Sequence, residues 1–463
     1  MLNKLFRPDS ICVVGASEDK NKIGGVILGN LLKSGYPGKI FPVNPSRSEI
    51  LGVKCYPDIK SVKEDIDLCV ISIPAKSSVP VVKSAVDLRI PFIVLIPGGF
   101  AEAGEYGKML QNQIKSLVNG TGTRVIGPNT VGIYVPGSRV NTTLTPSERL
   151  QFPHEGSIAY ISQSGALGLL TLDTLSETGT GIHSFINVGN RSDLDELDLL
   201  EYLASIDEVK GVALYLESIP RGKAFLEIAK EFSHKKPIVV LKSGRTQTSA
   251  RAASLHTASM ATDDRVTDGV FRQYSIIRAE NEVELIDFSR TLTYSRIATG
   301  NRVAVVTSAG GVGVVTADLI SLPLRPILKL AELSNDTMAK IRKVIVSFGS
   351  AMNPIDITAD GDVDQVSQIL GILNETEEVD IIILYALPQT PKMNLSLVDV
   401  AARWKESGKP IIVGVLGSKM AKEMILLLEQ KKVPSFTSIS RVVRAAEALA
   451  QYSYYIRRDH DKN

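Results

Sequence analysis

The sequence predicts an α/β chain of about three doubly wound, parallel-sheet domains. Three observations carry this. The 463 residues correspond to roughly three domains at ~150 residues each. Short β-branched runs alternate with longer amphipathic stretches, the pattern of βαβ units. Three segments, at residues 11–17, 158–165 and 303–311, repeat one grammar of apolar strand and small-residue turn.

Taken in order, residues 11–14, 66–73, 92–96, 158–161, 211–216, 237–241, 303–307, 381–385 and 410–415 read as buried parallel strands. Residues 79–88, 223–231 and 420–430 read as helices between them, with right-handed crossovers. The polar stretches 141–156 and 295–301 read as linkers, which sets domains of 1–145, 146–300 and 301–463. The charged tail, 452–463, is expected to fray.

Composition removes several function classes. Lys+Arg 52 against Asp+Glu 50 gives a net charge of +2. No basic cluster stands out, which argues against nucleic-acid and membrane-surface binding. With Trp404 as the single tryptophan, a base-stacking platform lacks material. Cys12, Cys55 and Cys69 form no C-x-x-C pair, which argues against a disulfide framework or a cysteine-rich zinc site and suits a reducing cytoplasm. No apolar run approaches the ~18 residues of a membrane span. No signal-peptide pattern precedes the first strand.

The first turn, Gly15-Ala16-Ser17, leads through Lys22 and Gly24-Gly25 into a helical pattern. Glycines there allow a tight turn and let phosphate oxygens approach backbone N–H groups at a helix start. The full G-x-G-x-x-G fingerprint is absent, so a nucleotide site and a plain βα turn weigh evenly. The second strand ends at Val43 and is followed by Asn44-Pro45-Ser46-Arg47. A plain NAD site wants a carboxylate here. Arg47 instead suits a phosphorylated ribose, as in NADP or coenzyme A.

Ser162-Gln163-Ser164-Gly165 and Ser308-Ala309-Gly310-Gly311 each open a helix after a buried strand. Each offers free N–H groups and the positive end of a helix dipole. Singly, either is an ordinary βα turn. Directed at one point, the two would form an anion site without arginine.

Of the five histidines, His256 stands apart. It lies in residues 243–262, where 14 of 20 residues are Ser, Thr, Ala or Gly and none is acidic. Such a segment has little to pack and is expected to move. An imidazole there is a candidate to carry phosphate, against the usual structural role of a lone histidine. A nucleophilic imidazole needs a carboxylate to orient it. Glu217, at the end of a parallel strand, is the candidate, with Asp356 a weaker one. No Walker A, H-E-x-x-H or G-x-S-x-G pattern is present, so any ATP must be held elsewhere.

Together these motifs resemble the α subunit of NDP-forming acyl-CoA synthetases, in particular the ADP-forming acetyl-CoA synthetases of archaea, relatives of succinyl-CoA synthetase. The resemblance runs over roughly residues 5–455. Gly15, Ala16, Ser17, Lys22 and Gly24 look like the family's CoA-binding turn. Val43, Asn44 and Pro45, with Ile73, Pro74 and Ala75, look like its CoA-cradling strand ends. Pro97-Gly98-Gly99-Phe100 and Gly127-Pro128-Asn129 follow in the family's order. Residues 162–165 and 308–311 resemble its two phosphate-holding helix starts. Lys242-Ser243-Gly244-Arg245 and Ser254-Leu255-His256-Thr257 resemble its phosphohistidine segment, with Glu217 as the supporting carboxylate. Leu255, Ala258, Thr130 and Val131 depart from the family pattern.

The resemblance implies a Rossmann-like CoA-binding domain followed by two flavodoxin-like domains. It implies that phosphate attacks a bound acyl-CoA, that His256 takes the phosphoryl group from the acyl phosphate, and that ADP collects it. It implies coenzyme A as substrate, with Mg²⁺ and ADP/ATP on a separate ATP-grasp β subunit of an α2β2 assembly. Three other readings stay open at this stage: a non-catalytic CoA-binding regulator, an NAD(P)-dependent oxidoreductase and a scaffolding subunit. The acyl group is also open.

Overall fold

The computed structural model describes residues 2–233, 235–249, 264–323, 326–417 and 419–460. They fall into two compact units: Met1–Glu177 with Gly181–Tyr274, and Thr178–Thr180 with Ser275–Asn463. The α/β expectation holds, and each run read as a strand contains one.

The first unit carries two large sheets and the small antiparallel pair Glu49–Ile50 with Val53–Lys54. In the first, the order is Lys39–Val43, Ser10–Val14, Leu68–Ile71, Phe92–Leu95 and Arg124–Ile126, all parallel. The chain leaves Ser10–Val14 toward one edge and returns to its other side, so the strand order reverses there. Such a reversal opens a crevice beyond the carboxyl ends of the strands. Helices Ala75–Asp87 and Glu105–Val118 cover one face, burying Val82, Ala85, Leu110 and Ile114 against Cys12, Cys69, Ile93 and Leu95.

In the second sheet, Ile238–Lys242, Gly211–Leu216, Glu155–Ser162 and Ile182–Asn187 are parallel neighbours. Here the order reverses at Glu155–Ser162. Ile133–Val135 pairs antiparallel with the Ile182–Asn187 edge of this sheet, and Val140–Asn141 pairs antiparallel with Ile133–Val135. They do so although they precede residue 145. The polar stretch that follows is tied down: Asn30 Nδ2 donates to the carbonyls of Thr143 (3.0 Å) and Thr145 (2.9 Å).

The second unit repeats the plan. Lys329–Leu330, Arg302–Thr307, Ile381–Ala386, Ile411–Val415 and Ser435–Phe436 run parallel, with Ile355–Asp356 beside the end of Arg302–Thr307. Helices Val363–Glu375, Leu397–Ser407 and Lys419–Gln430 bury Val366, Leu370, Leu397 and Leu428 in one core. Arg290, on the helix Glu282–Tyr294, is fully buried. Its Nε donates to Glu429 Oε2 at 3.1 Å, and Tyr294 donates to Glu429 Oε1 at 2.7 Å.

The tail corrects one expectation. Residues 452–460 do not fray as a charged end but complete the helix Ile439–His460. Tyr452, Tyr455 and Ile456 are buried, and Ser453 Oγ accepts from the Ala298 N–H at 2.9 Å. Their three- and four-residue spacing puts them on one helix face. Among the described residues no helix is long and apolar enough to cross a membrane.

Candidate active site

The loops expected to matter sit at the carboxyl ends of the parallel strands. In the first sheet, Val14 is in register with both Val43 and Ile71, so three turns start at one level. Gly15 has φ +87°, a conformation that favours glycine. A Cβ on Gly24 would lie 2.0 Å from the Gly15 carbonyl oxygen, so the helix Ile23–Lys33 docks by bare backbone on the first turn. Asn44 Nδ2 donates to the Ala16 carbonyl at 2.9 Å, tying the second strand end to the first. The Ser17 hydroxyl accepts from the Asp19 N–H, and Lys22 is the extended residue before the helix. Pro45 follows Asn44 in the same strand-end turn, and the exposed Arg47 guanidinium stands 3.9 Å from Glu18. Pro74 directly precedes the helix that Ala75 begins, and the Ile73 side chain stands against Gly15. The structure thus brings these residues of the first domain to one sheet edge.

Two more strand ends bring the first sheet to the second. Gly99 (φ +95°) and Phe100 direct their N–H groups at Glu102 Oε1, at 2.6 and 3.1 Å. Asn190 donates to Glu102 Oε2 (2.5 Å) and Gln111 Oε1 (3.0 Å), and Asn129 donates to Asn190 Oδ1 (3.3 Å). Crowding by neighbours pulls the Glu102 carboxyl up, but the Asn190 amide and the Gly99 and Phe100 N–H groups more than offset this and hold it below the usual range. Below these contacts Arg124 and the Val125 N–H grip Asp193.

In the second sheet the chain turns from Ser162 into the helix Gly165–Glu177. Ser162 Oγ donates to the Ser164 carbonyl at 2.7 Å, and Ser164 Oγ accepts from the Leu167 N–H. Gln163 is buried and fully engaged. Its Oε1 accepts from the N–H groups of Glu217 (2.7 Å) and Ser218 (3.1 Å), and its Nε2 donates to the Ser218 carbonyl (3.0 Å). The Lys242 ammonium donates to the Glu217 carbonyl at 2.8 Å. Glu217 therefore sits in a turn fixed through its backbone, directly beside the helix start.

Between these parts of the first unit lies a cleft of about 620 Å³. Its walls include Pro97, Asn129, Val131, Ser164, Gly165 and Arg191. One wall is a helix N-terminus, where exposed N–H groups and the dipole favour an anion. Val131 packs on that start so closely that a Cβ on Gly165 would meet its Cγ1 at 2.5 Å. A larger open groove, about 780 Å³, crosses the outer helices at Val79, Lys83 and Met109. It runs along the sides of two helices, with Glu105 at the start of one, and contains no strand end, so the strand-end cleft is the better candidate.

The remaining expected residues lie apart. Ser308, Ala309, Gly310 and Gly311 belong to the second unit, where Ala309 precedes the helix Gly310–Ser321. Asp356 stands beside this start: a Cβ on Gly310 would meet its Oδ2 at 2.8 Å. His256 lies outside the described residues. Sequence reading missed Glu102, Gln111, Asn190, Arg191, Glu196 and Ser218. The one local signal was Gly189-Asn190-Arg191 directly after an apolar strand, with φ +54° at both Gly189 and Arg191.

Comparison with known proteins assigns the three parts of the chain. Residues 9–136 match the CoA binding domain model, 155–292 the succinyl-CoA ligase-like flavodoxin domain, and 303–457 the ligase-CoA domain. The chain is 34% identical to the ADP-forming acetate–CoA ligase II subunit alpha of Pyrococcus furiosus, over 97% of this chain and 98% of that one. It belongs to the family of ADP-forming acetate–CoA ligase α subunits. The family's solved structures agree. The dinucleotide-forming acetyl-coenzyme A synthetase 1 of Ca. Korarchaeum cryptofilum, in complex with phosphate and ADP, is 32% identical, with TM-score 0.89 and 99% of both chains covered. The ADP-forming acetate–CoA ligase I of Archaeoglobus fulgidus is 34% identical over 98% of this chain, which spans 64% of that relative. In this ligase family member, then, the Rossmann-like and flavodoxin-like domains expected from the sequence are present, in the expected order.

Proposed function

We propose that this chain is the acyl-transferring and phosphohistidine-bearing subunit of an ADP-forming acyl-CoA synthetase. It interconverts acyl-CoA, ADP and phosphate with a carboxylic acid, ATP and CoA. The observation that carries this reading is the helix start at Ser164 and Gly165, which opens into the same cleft as the strand-end loops of the first sheet. That arrangement suits a thioester held from one side and an inorganic phosphate held from the other.

Coenzyme A lies along Gly15, Ala16, Ser17, Lys22, Val43, Asn44, Pro45, Arg47, Ile73, Pro74, Ala75 and Asn129. Phosphate lies at Ser162, Gln163, Ser164 and Gly165; Ser308, Ala309, Gly310 and Gly311 form a helix start of the same kind in the second unit. A phosphate oxygen attacks the thioester carbonyl, the C–S bond breaks, and CoA leaves as the acyl phosphate forms. The N–H groups and dipole of the helix start stabilise the charge that develops. One nitrogen of His256 then attacks phosphorus, the P–O bond to the acyl group breaks, and the carboxylate leaves. Glu217 holds the other ring nitrogen and so leaves the attacking one unprotonated. ADP and Mg²⁺ belong to an ATP-grasp β subunit, in an α2β2 assembly. Among the described residues no group of His, Cys, Asp and Glu could hold a metal ion. The gaps between the three family matches support domain limits near 145 and 300. The names of the relatives favour this catalytic role over a CoA-binding regulator.

The test is mass spectrometry of the full chain after incubation with acetyl-CoA, phosphate and Mg²⁺. An acid-labile phosphoryl group on the peptide containing His256 is expected. CoA binding to the chain with no such group would overturn the reading in favour of the regulator. The CoA assignment has its own check. Gly24→Ala pushes a methyl into the Gly15 carbonyl, and displacing this turn is expected to weaken CoA binding at least ~10-fold by calorimetry, the ~1–3 kcal/mol scale of overpacking.

A further inference from the structure

Behind the Glu217 turn lies an ion pair that the proposed chemistry does not use. Glu196 begins the helix Glu196–Ala204 and is 1% exposed. Its Oε1 receives Arg191 Nη1 at 3.1 Å and Gln163 Nε2 at 3.3 Å. Its Oε2 is buried with no hydrogen-bond partner. Arg191 also reaches forward, donating from Nη1 to the Ser218 carbonyl (3.2 Å) and from Nη2 to the Ser218 hydroxyl (2.7 Å). The peptide that follows Glu217 is thus held by Gln163 and Arg191 together, and both lean on one carboxylate oxygen.

This arrangement is costly, and the fold does not need it. Burial pushes the Glu196 carboxyl above its usual range, against the pull of Arg191. The helix start is already capped by Asp195, which accepts from the N–H groups of Leu197 and Asp198 and forms a capping box with Asp198. Asp195 and Asp198 have their own cations in Arg221 and Arg124. A buried carboxylate with one oxygen left unpaired is expected where it orients something else.

We infer that Glu196 is a positioning residue for phosphoryl transfer: through Arg191 and Gln163 it fixes the Ser218 peptide and with it the height of Glu217. The inference rests on the reading of Glu217 and His256 above. No substrate atom need touch Glu196.

The experiment uses the full chain with phosphorus-labelled acetyl phosphate as donor. It reads the rate at which acid-labile label reaches the His256 peptide. CoA affinity and the thermal melting profile are measured beside it. Glu196→Gln keeps the shape and removes the charge. It is expected to slow labelling about 10- to 100-fold, with CoA affinity unchanged, a lower melting transition from the stranded Arg191 charge, and Glu196→Asp regaining part of the rate. Ser218→Ala, which keeps the ion pair, removes one arm of the clamp and is expected to slow the same step less. It decides the matter should Glu196→Gln not fold. Wild-type labelling rates in Glu196→Gln, or in Ser218→Ala where that variant decides, overturn the inference. So does a parallel loss of labelling and CoA affinity in Glu196→Gln, which marks a merely structural role. An unlabelled wild-type chain instead overturns the His256 reading and this inference with it.

Discussion

Replacing His256 by alanine is expected to abolish ATP formation from acetyl-CoA, ADP and phosphate, by at least ~10⁴-fold, the scale on which catalytic nucleophiles fail. The loss should be selective. On the proposed reading, CoA is held by turns of the first sheet and phosphate by the helix start at Ser164, neither of which needs an imidazole. The variant should therefore still exchange acyl groups between CoA and phosphate. An assay following acyl phosphate formation from acetyl-CoA separates the two steps. Its expected outcome is a persisting first step and no phosphoryl group on the protein. Full ATP synthesis by the variant, measured with the partner subunit present, removes His256 from the mechanism.

The second large effect concerns stability. Arg290 is buried in the second unit against Glu429, with Tyr294 on the other carboxylate oxygen. Glu429→Ala removes the partner and leaves a guanidinium in a low-dielectric core. Such breaks cost about 3–5 kcal/mol, and the remaining charge keeps only Asp287 at 4.0 Å and the Ser435 carbonyl at 3.4 Å. The expected result is a lowering of the melting transition of that unit by about 10 °C, at ~2–4 °C per kcal/mol. Replacing both members, Arg290→Met with Glu429→Leu, should recover most of the loss, since well-packed apolar pairs often match a buried ion pair. Equal losses in the single and double variants would mean that packing, rather than the stranded charge, sets the cost.

Much of the fold was legible because its signals are local. A buried parallel strand shows itself as a β-branched run, as at Leu68–Ile71 and Ile381–Ala386. Gly15, Gly24 and the Ser162–Gly165 turn announce themselves by small residues after a strand. The hydrogen-bonded polar half of the site is different. Glu102, Gln111, Asn129 and Asn190 meet through hydrogen bonds, yet they come from four separate segments. Nothing in the neighbours of Glu102 and Gln111 marks them out from solvated surface residues, whereas Asn129 stands in Gly127-Pro128-Asn129 and Asn190 in Gly189-Asn190-Arg191. Glu196 reads as one more acid in an acidic helix start until the fold closes over it. The tail failed for a related reason. Its average polarity suggested fraying, while Tyr452, Tyr455 and Ile456 already carried the spacing of a buried face.

The placement of Ile133–Val135 and Val140–Asn141 bears on how such a chain can be cut and rejoined. A break at residue 145 looks like a clean seam between modules. It would in fact strip the second sheet of two strands that it borrows from upstream, leaving the Ile182–Asn187 edge with unpaired N–H and C=O groups. Bare edges of that kind invite pairing with other chains. A second-domain fragment begun there is thus expected to aggregate, whereas one begun ahead of residue 133 carries its own edge protection. For this family, a swap of CoA-binding modules between relatives has its natural crossover upstream of that strand.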